Sequence, residues 1–317
     1  MFDQSASVPD ISFVIPCRNE EANVREITAA VIKEMGPIAL SFEIILIDNE
    51  SQDSTVAIAR ELCASDARIK LIVNTRNFGQ MRSPTHAIFQ TRGRAVIGMC
   101  ADFEDPPHMI GQFIARWQAG IPIVLGVREA EKRSSIFSNI GRNLFYGFAK
   151  RFGDYPVIPD ATGFGLYDRK VVNAIAALNE PEPFFRGLLV ETGYKIETIS
   201  YARTPRTRGQ SNNNFFVLLD FALSGVAGSS KKLVRLPFFA GALALVAAVI
   251  SFGMFIIGAA TGGNIIFWLI TAIMEIQLAL LFIFLGLIGD QVRLISERTR
   301  KVPLVLENER INFPNVS

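Results

Sequence analysis

Two uncharged apolar runs late in the chain set the strongest limit on its fold. Residues 236–260 carry no charge, and neither do residues 265–274. Glu275 and Gln277 then interrupt, and the apolar run resumes over residues 278–288. A helix needs about 20 apolar residues to cross the hydrocarbon core of a bilayer, so each run is long enough for one span. The link between them, Thr261-Gly262-Gly263-Asn264, is uncharged and a turn long. This predicts a transmembrane hairpin of helices 236–260 and 265–288; the alternative is two buried helices of a soluble core. Lys231, Lys232 and Arg235 precede the hairpin, and Arg293, Arg298, Arg300 and Lys301 follow it. The positive-inside rule then places both ends in the cytoplasm and the turn outside. A carboxylate at Glu275, near mid-span, is costly unless partnered, so it is expected to face another helix, in this chain or in a second copy of a homo-oligomer.

The rest of the chain is long enough for a full α/β domain: the whole is 317 residues, 50 % hydrophobic. The net charge of +2 gives no reason to expect nucleic acid as a partner. Cys17, Cys63 and Cys100 show no paired metal spacing, and their odd number argues against a disulfide framework. Residues 1–10 are polar and lack the apolar core of a signal peptide, so they read as a flexible N-terminus.

Over residues 11–127, short β-rich runs alternate with helical patterns. The expected strands are 11–15, 43–47, 69–73, 95–99 and 123–125. The expected helices are 20–34, 54–65, 79–90 and 107–119, the last opened by prolines that suit a first turn. Such alternation predicts a Rossmann-like, mostly parallel sheet with helices on both faces, which with the hairpin makes an α/β membrane protein. No Gly-x-Gly-x-x-Gly or Gly-x-x-x-x-Gly-Lys loop follows the first strand, which argues against a dehydrogenase or a nucleoside triphosphatase.

Open α/β sheets bind ligands at the carboxyl ends of their strands, and three such ends carry polar groups here. The first runs Pro16-Cys17-Arg18-Asn19-Glu20-Glu21. The second runs Asp48-Asn49-Glu50-Ser51-Gln52-Asp53-Ser54-Thr55. The third is Ala101-Asp102-Phe103-Glu104-Asp105-Pro106-Pro107. An Asp at a strand end accepts from a base N–H or a ribose hydroxyl, or it caps the next helix. The first role is expected for Asp48 and capping for Asp53. Three carboxylates in the third loop suit a hard divalent cation bridging to a diphosphate; the alternative is a solvated acidic turn. His86 and His108 show no partner pattern. The helix carrying Gln112 and Trp117 reads as core-facing.

These segments together resemble the family 2 glycosyltransferases of GT-A fold. The pattern is Phe13-Val14-Ile15-Pro16 with Asn19-Glu20-Glu21, the Asp48 to Thr55 loop, Arg76-Asn77-Phe78-Gly79 and the Asp102 to Pro107 loop. It continues through Pro159-Asp160-Ala161-Thr162-Gly163-Phe164, Phe185-Arg186-Gly187-Leu188 and Arg206-Thr207-Arg208-Gly209-Gln210-Ser211 to the hairpin. More narrowly, the chain is similar to the polyprenol-phosphate glycosyltransferases, relatives of dolichol-phosphate mannose synthase and of bactoprenol glucosyltransferases.

The resemblance implies inverting transfer of one sugar from a UDP- or GDP-linked donor to a polyprenyl (undecaprenyl-type) phosphate. The reaction would take place at the inner (cytoplasmic) membrane, with the catalytic domain in the cytoplasm. It implies a cytoplasmic domain over 11–200, a juxtamembrane acceptor region over 201–235 with an interfacial helix, and a cytoplasmic amphipathic segment over 289–317. Pro16, Asn19, Glu20, Asp48, Asn49 and Ala101 are then expected at the nucleotide. Asp102 and Glu104 are expected at a Mg²⁺ or Mn²⁺ ion, and Asp105 near the acceptor. Arg206 is expected at the acceptor phosphate with a catalytic part. Arg208, which has no counterpart in the family, and Ser211 join it there by position, since arginine forks suit phosphate oxygens; the alternative is a basic stretch lying on anionic headgroups. A phosphate monoester is already largely dianionic near neutral pH, its second pKa being about 6, so positioning and electrostatics should outweigh general-base help.

Some positions depart from the family pattern. Cys100 and Glu104 replace the first Asp and the Gln of Asp-Ala-Asp-Leu-Gln, Asn212 replaces the Lys of Gly-x-Ser-Lys, and Gly163 stands where many relatives carry Asp. Two other functions remain open at this stage: transfer to a different membrane lipid such as diacylglycerol, and an inactive nucleotide-sugar-binding subunit.

Overall fold

The structure, a computed structural model, describes residues 8–129, 158, 161–180, 183–202, 236–299 and 303–314. The chain divides into two compact units, one holding a sheet and the other the two apolar helices.

The sheet unit opens with β1 (Ile11–Cys17), α1 (Val24–Met35), β2 (Phe42–Asp48), α2 (Thr55–Ser65), β3 (Ile69–Asn74), α3 (Gly79–Gln90) and β4 (Ala95–Gly98). A 3-10 turn at Pro107–Met109, α4 (Ile110–Gln118) and β5 (Ile123–Arg128) follow. β6 (Ala161–Asp168), α5 (Arg169–Ala177), α6 (Phe185–Glu191) and β7 (Ile196–Tyr201) continue it, and β8 (Glu307–Ile311) closes it. The eight strands lie in the order β7-β5-β6-β4-β1-β2-β3-β8. The β4-β1-β2-β3 centre is parallel as expected, whereas β6 and β8 pair antiparallel with their neighbours.

Successive strand residues point to opposite faces. Phe13, Ile15, Ile44 and Leu46 therefore join Ile27, Val31 and Phe113 on the side of α1, α2 and α4. Val14, Ile45, Ile47 and Val96 join Ala87, Val171 and Ile175 on the side of α3 and α5. Both faces being covered explains why these strands read as predominantly apolar runs rather than alternating ones. Phe113 and Ile114 are buried, so α4 is the core-facing helix expected. At the amino end of the sheet a buried Glu43–Lys70 ion pair, joined by Ser12 Oγ and the Arg92 amide, occupies the strand starts.

Two differences from the sequence expectation have physical causes. α1 begins at Val24 rather than residue 20 because the preceding turn is tied elsewhere: Glu20 N–H donates to Thr55 Oγ1 (2.8 Å) and Glu21 N–H to Asp53 Oδ2 (3.2 Å). The segment expected to be a single amphipathic tail over 289–317 instead splits. Helix continues without a break to Thr299, and residues 303–314 return to the sheet, where β8 covers the otherwise open edge of β3. Side chains anchor that return. Arg60 pairs with Glu309, Asn312 donates to the Cys63 and Ile69 carbonyls, and His86 Nε2 lies 2.6 Å from Glu307 Oε1. His86 thus has a partner, 221 residues distant in sequence. Burial pushes the Glu307 carboxyl up, but His86 and Arg310 outweigh it and hold it at about 2.

The second unit is α7 (Leu236–Thr261) and α8 (Ile265–Thr299). Segments Phe239–Thr261 and Ile265–Gly289 are long and apolar enough to cross a membrane. Their surfaces are not those of a soluble core, since Phe239, Leu243 and Val249 are 70–72 % exposed. The protein is therefore membrane-associated. Small residues line the seam: Ala248, Ser251, Ala272 and Ala279 are buried, and a Cβ on Gly241 would lie 3.0 Å from Ile283. Glu275 falls on the Ala272–Ala279 stripe of α8, and its Oε2 is buried with no hydrogen-bond partner among the described residues.

Candidate active site

The carboxyl ends of β1, β2 and β4, adjacent in the sheet, bring three polar loops to one edge. Each loop holds one non-glycine residue in the left-handed region: Asn19 (φ 57°), Glu50 (φ 66°) and Phe103 (φ 60°). Such backbone costs energy and persists where surrounding contacts fix it. Here the first two loops fix each other. Asn19 N–H donates to Ser51 Oγ (2.9 Å), Gln52 N–H returns to Asn19 Oδ1 (2.8 Å), and Ser54 N–H donates to Glu21 Oε2 (3.0 Å). Glu20 Oε2 accepts from Asn23. Pro16 ends the β1 floor beneath them, half-buried.

Asp48, the last residue of β2, is 1 % exposed. Its Oδ2 accepts from Ser51 N–H at 3.1 Å, while Oδ1 is buried with no partner among the described residues. Burial raises its pKa, against the Ser51 hydrogen bonds. An orphaned carboxylate oxygen at a strand end is costly unless a ligand donates to it. Asp53 accepts from the Thr55 amide and hydroxyl, the capping role expected of it.

Asn49 needs correcting as a direct nucleotide contact. Its amide nitrogen donates to Asn77 Oδ1 (2.8 Å) and the Gly79 carbonyl (3.3 Å), and its oxygen accepts from Phe78 N–H (2.9 Å) and Asn74 Nδ2 (3.2 Å). That uses the full capacity of a side-chain amide. Asn49 braces the loop after β3 instead.

In the acidic loop Asp102 is 7 % exposed and its Oδ1 accepts from Glu104 N–H (3.1 Å), with Ala101 buried beside it. Asp105, 1 % exposed, accepts from Cys100 N–H and from the Tyr201 hydroxyl, each at 3.0 Å, so among the described residues it staples its own loop. Burial raises its pKa, opposed by Cys100, Arg128 and Tyr201. Arg128, ending β5, lies 3.0 Å from Glu104 and 3.6 Å from Asp105, and donates to Tyr201 Oη. Burial and the Asp105 charge push the Tyr201 phenol up to about 12. Sequence reasoning missed Arg128 and Tyr201; the one signal was a cation closing the otherwise apolar β5.

Oxygen donors are what a hard dication needs, and Mg²⁺-type ions are usually completed by substrate phosphates and water. Among the described residues no three acidic, His or Cys side chains cluster into an all-protein cage. Asp102 is the carboxylate of this loop that suits a cation completed by a diphosphate, while Glu104 is held by Arg128 at 3.0 Å. Arg206, Arg208 and Ser211 lie outside the described residues, as do Pro159 and Asp160. Gly163 has φ +96°, a backbone that an Asp would adopt only under strain.

Residues 12–175 match the family described as glycosyl transferase family 2. An uncharacterized glycosyltransferase of Synechocystis is 29 % identical, the alignment covering 95 % of each chain. A bactoprenol glucosyl transferase of Shigella phage SfX is 31 % identical over 76 % of this chain and 78 % of its own. Among solved structures, glucosyl-3-phosphoglycerate synthase of Mycobacterium tuberculosis, crystallised with Mn²⁺, UDP-glucose and phosphoglyceric acid, aligns at TM-score 0.46. It is 17 % identical over 69 % of this chain and 78 % of that one, too distant to say anything of this chain's ligands.

Proposed function

The chain belongs to glycosyltransferase family 2, and on that premise we propose that it transfers one sugar from a nucleoside-diphosphate sugar to a polyprenyl phosphate at the cytoplasmic membrane face. The observation that carries the donor side is the Asp48 Oδ1, buried with no partner among the described residues, on a strand next but one to β4, whose loop carries Asp102. Support for the acceptor comes from the phage bactoprenol enzyme's likeness and from two membrane-length helices that follow the Arg206 segment.

Asp48 accepts a hydrogen bond from the nucleotide's base or ribose. The Asn19–Ser51 loops form the wall around it, and the Asp102 loop lies at the diphosphate. Asp102 and Glu104 would hold a divalent cation, and such an ion would supply charge neutralisation at the leaving diphosphate. Arg206, with Arg208 and Ser211, holds the acceptor phosphate; arginine forks match phosphate oxygens. An acceptor phosphate oxygen attacks the anomeric carbon from the face opposite the diphosphate. One C–O bond forms as the other breaks, with inversion, and no proton need be removed from a dianionic phosphate. Asp105, Tyr201 and Arg128 keep the acidic loop in place.

The acceptor half is tested by Arg206→Ala assayed with undecaprenyl phosphate and with diacylglycerol. Loss of at least about tenfold in kcat/KM with the phosphate, as expected for a charged hydrogen bond worth about 1.5–3 kcal/mol, supports the reading. Transfer to diacylglycerol that Arg206→Ala leaves intact, or undiminished transfer to the phosphate in Arg206→Ala, contradicts it.

A further inference from the structure

The loop after β3 is held from two sides. On one side it is fixed to the end of β2: Asn49 takes the Phe78 amide, Asn77 Oδ1 and the Gly79 carbonyl, and Glu50 Oε2 accepts from Asn77 N–H (3.1 Å). On the other side it is fixed to the returning C-terminal segment. Thr75 N–H donates to the Leu306 carbonyl at 2.9 Å. Arg82, at the start of α3, donates Nε–H to the Leu304 carbonyl (2.8 Å) and an Nη2 proton to the Pro303 carbonyl (3.0 Å). The Arg82 guanidinium also faces the ring of Phe78, as does that of Arg76. Phe78, whose amide meets Asn49, is itself 8 % exposed.

The contacts to the tail are made with backbone carbonyls of residues 303–306, so they depend on the path of the chain rather than on its side chains. β3 and β8 change register between Val73 and Asn74, where the ladder gives way to this loop. In sequence only Arg300, Lys301 and Val302 separate α8 from Pro303. The segment leaving the apolar helices is thus the one clamped to the loop that Asn49 supports.

We propose that residues 303–313 are a positioning element of the donor site: through Thr75 and Arg82 they fix the 75–79 loop, and through Asn49 the end of β2, so that docking of the tail and binding of nucleotide favour each other. This rests on the reading of Asp48 as a nucleotide contact. Arg82 is the positioning residue; it acts through Phe78 and Asn49 and needs no contact with the sugar donor. Coupling of this kind is reciprocal, so nucleotide must tighten the tail as much as the tail tightens nucleotide.

Hydrogen–deuterium exchange of the full-length protein in detergent, with and without saturating UDP or GDP, reads the coupling without any mutation. The expected result is slower exchange at residues 49–51 and also at Thr75 and across 304–311. In parallel, Arg82→Ala should speed exchange at 304–306 and weaken UDP or GDP binding about five- to tenfold, the loss of one or two hydrogen bonds to a charged group. Its donor KM should rise while kcat and acceptor KM stay within about twofold, and Arg82→Lys should recover part of the affinity. Protection confined to 49–51, or an undocked tail in Arg82→Ala with unchanged nucleotide affinity, overturns the inference. Where Arg82→Ala does not fold, the wild-type exchange experiment decides alone. A wild-type protein that binds neither nucleotide overturns the donor-site reading, and this inference with it, a failure distinct from protection without coupling.

Discussion

The Tyr201 hydroxyl, at the end of β7, donates to Asp105 Oδ1 at 3.0 Å, joining the sheet's far edge strand to the acidic loop 96 residues away. Asp105 thereby braces the acidic loop, and the proposed function gives the chemistry to Asp102. Removing this brace should loosen the loop without removing the chemistry.

Asp105→Asn is therefore expected to lower thermal stability, by about 1–3 kcal/mol for a disturbed buried carboxylate network, while kcat falls less than about tenfold. Asp102→Asn should leave the melting temperature nearly unchanged and lower kcat by on the order of 10³-fold, the scale of losing charge stabilisation at the leaving group. Melting curves beside steady-state rates separate the two; equal kcat losses would return Asp105 to the chemistry.

Asp48 supplies a pH dependence with a definite sign. Burial raises its folded pKa, and the ionised carboxylate accepts from a base or ribose donor more strongly than the protonated acid does. Nucleotide affinity should thus be complete above that raised pKa and fall as pH drops through it. Without ligand the sign for folding is opposite: the raised pKa favours the folded state at low pH, and that contribution is lost as pH rises through it. Asp48→Asn should weaken nucleotide about ten- to a hundredfold at neutral pH, for a charged hydrogen bond of about 1.5–3 kcal/mol, and should flatten the pH profile. Calorimetric titration from pH 7.5 to acid measures both.

The returning strand constrains the proposed hairpin. If both apolar helices cross the bilayer, pairing of β8 with β3 requires the chain before α7 and after α8 to lie on one side, with the Gly262–Gly263 turn on the other. An impermeant thiol reagent should label Asn264→Cys in intact cells and Ser317→Cys only after lysis. The reverse pattern, or labelling of both, would contradict the hairpin.

Much of this was legible in the sequence because its signals are local. The strand cores at 11–15, 43–47, 69–73 and 95–99 are largely apolar and buried on both faces, and two apolar spans leave little choice of helix. β8 was not legible. Glu-Asn-Glu-Arg-Ile is a short, charged edge strand whose partner β3 lies more than 230 residues earlier, and nothing nearby marks it. Asn49 reads as a ligand contact when only its position at a strand end is seen; its partners, Asn77 and Phe78, belong to another loop. Arg128 stayed hidden for the same reason, since the carboxylates it neutralises come from a turn before α4.

The most direct test of the central claim is lipid mass spectrometry on the purified protein in detergent. The mixture would hold undecaprenyl phosphate, Mg²⁺ or Mn²⁺ and a panel of UDP- and GDP-linked sugars, with Asp102→Ala alongside. The account predicts a lipid heavier by one sugar residue with one donor, absent in Asp102→Ala. No shift with any donor, although the protein binds nucleotide, would contradict transfer to polyprenyl phosphate.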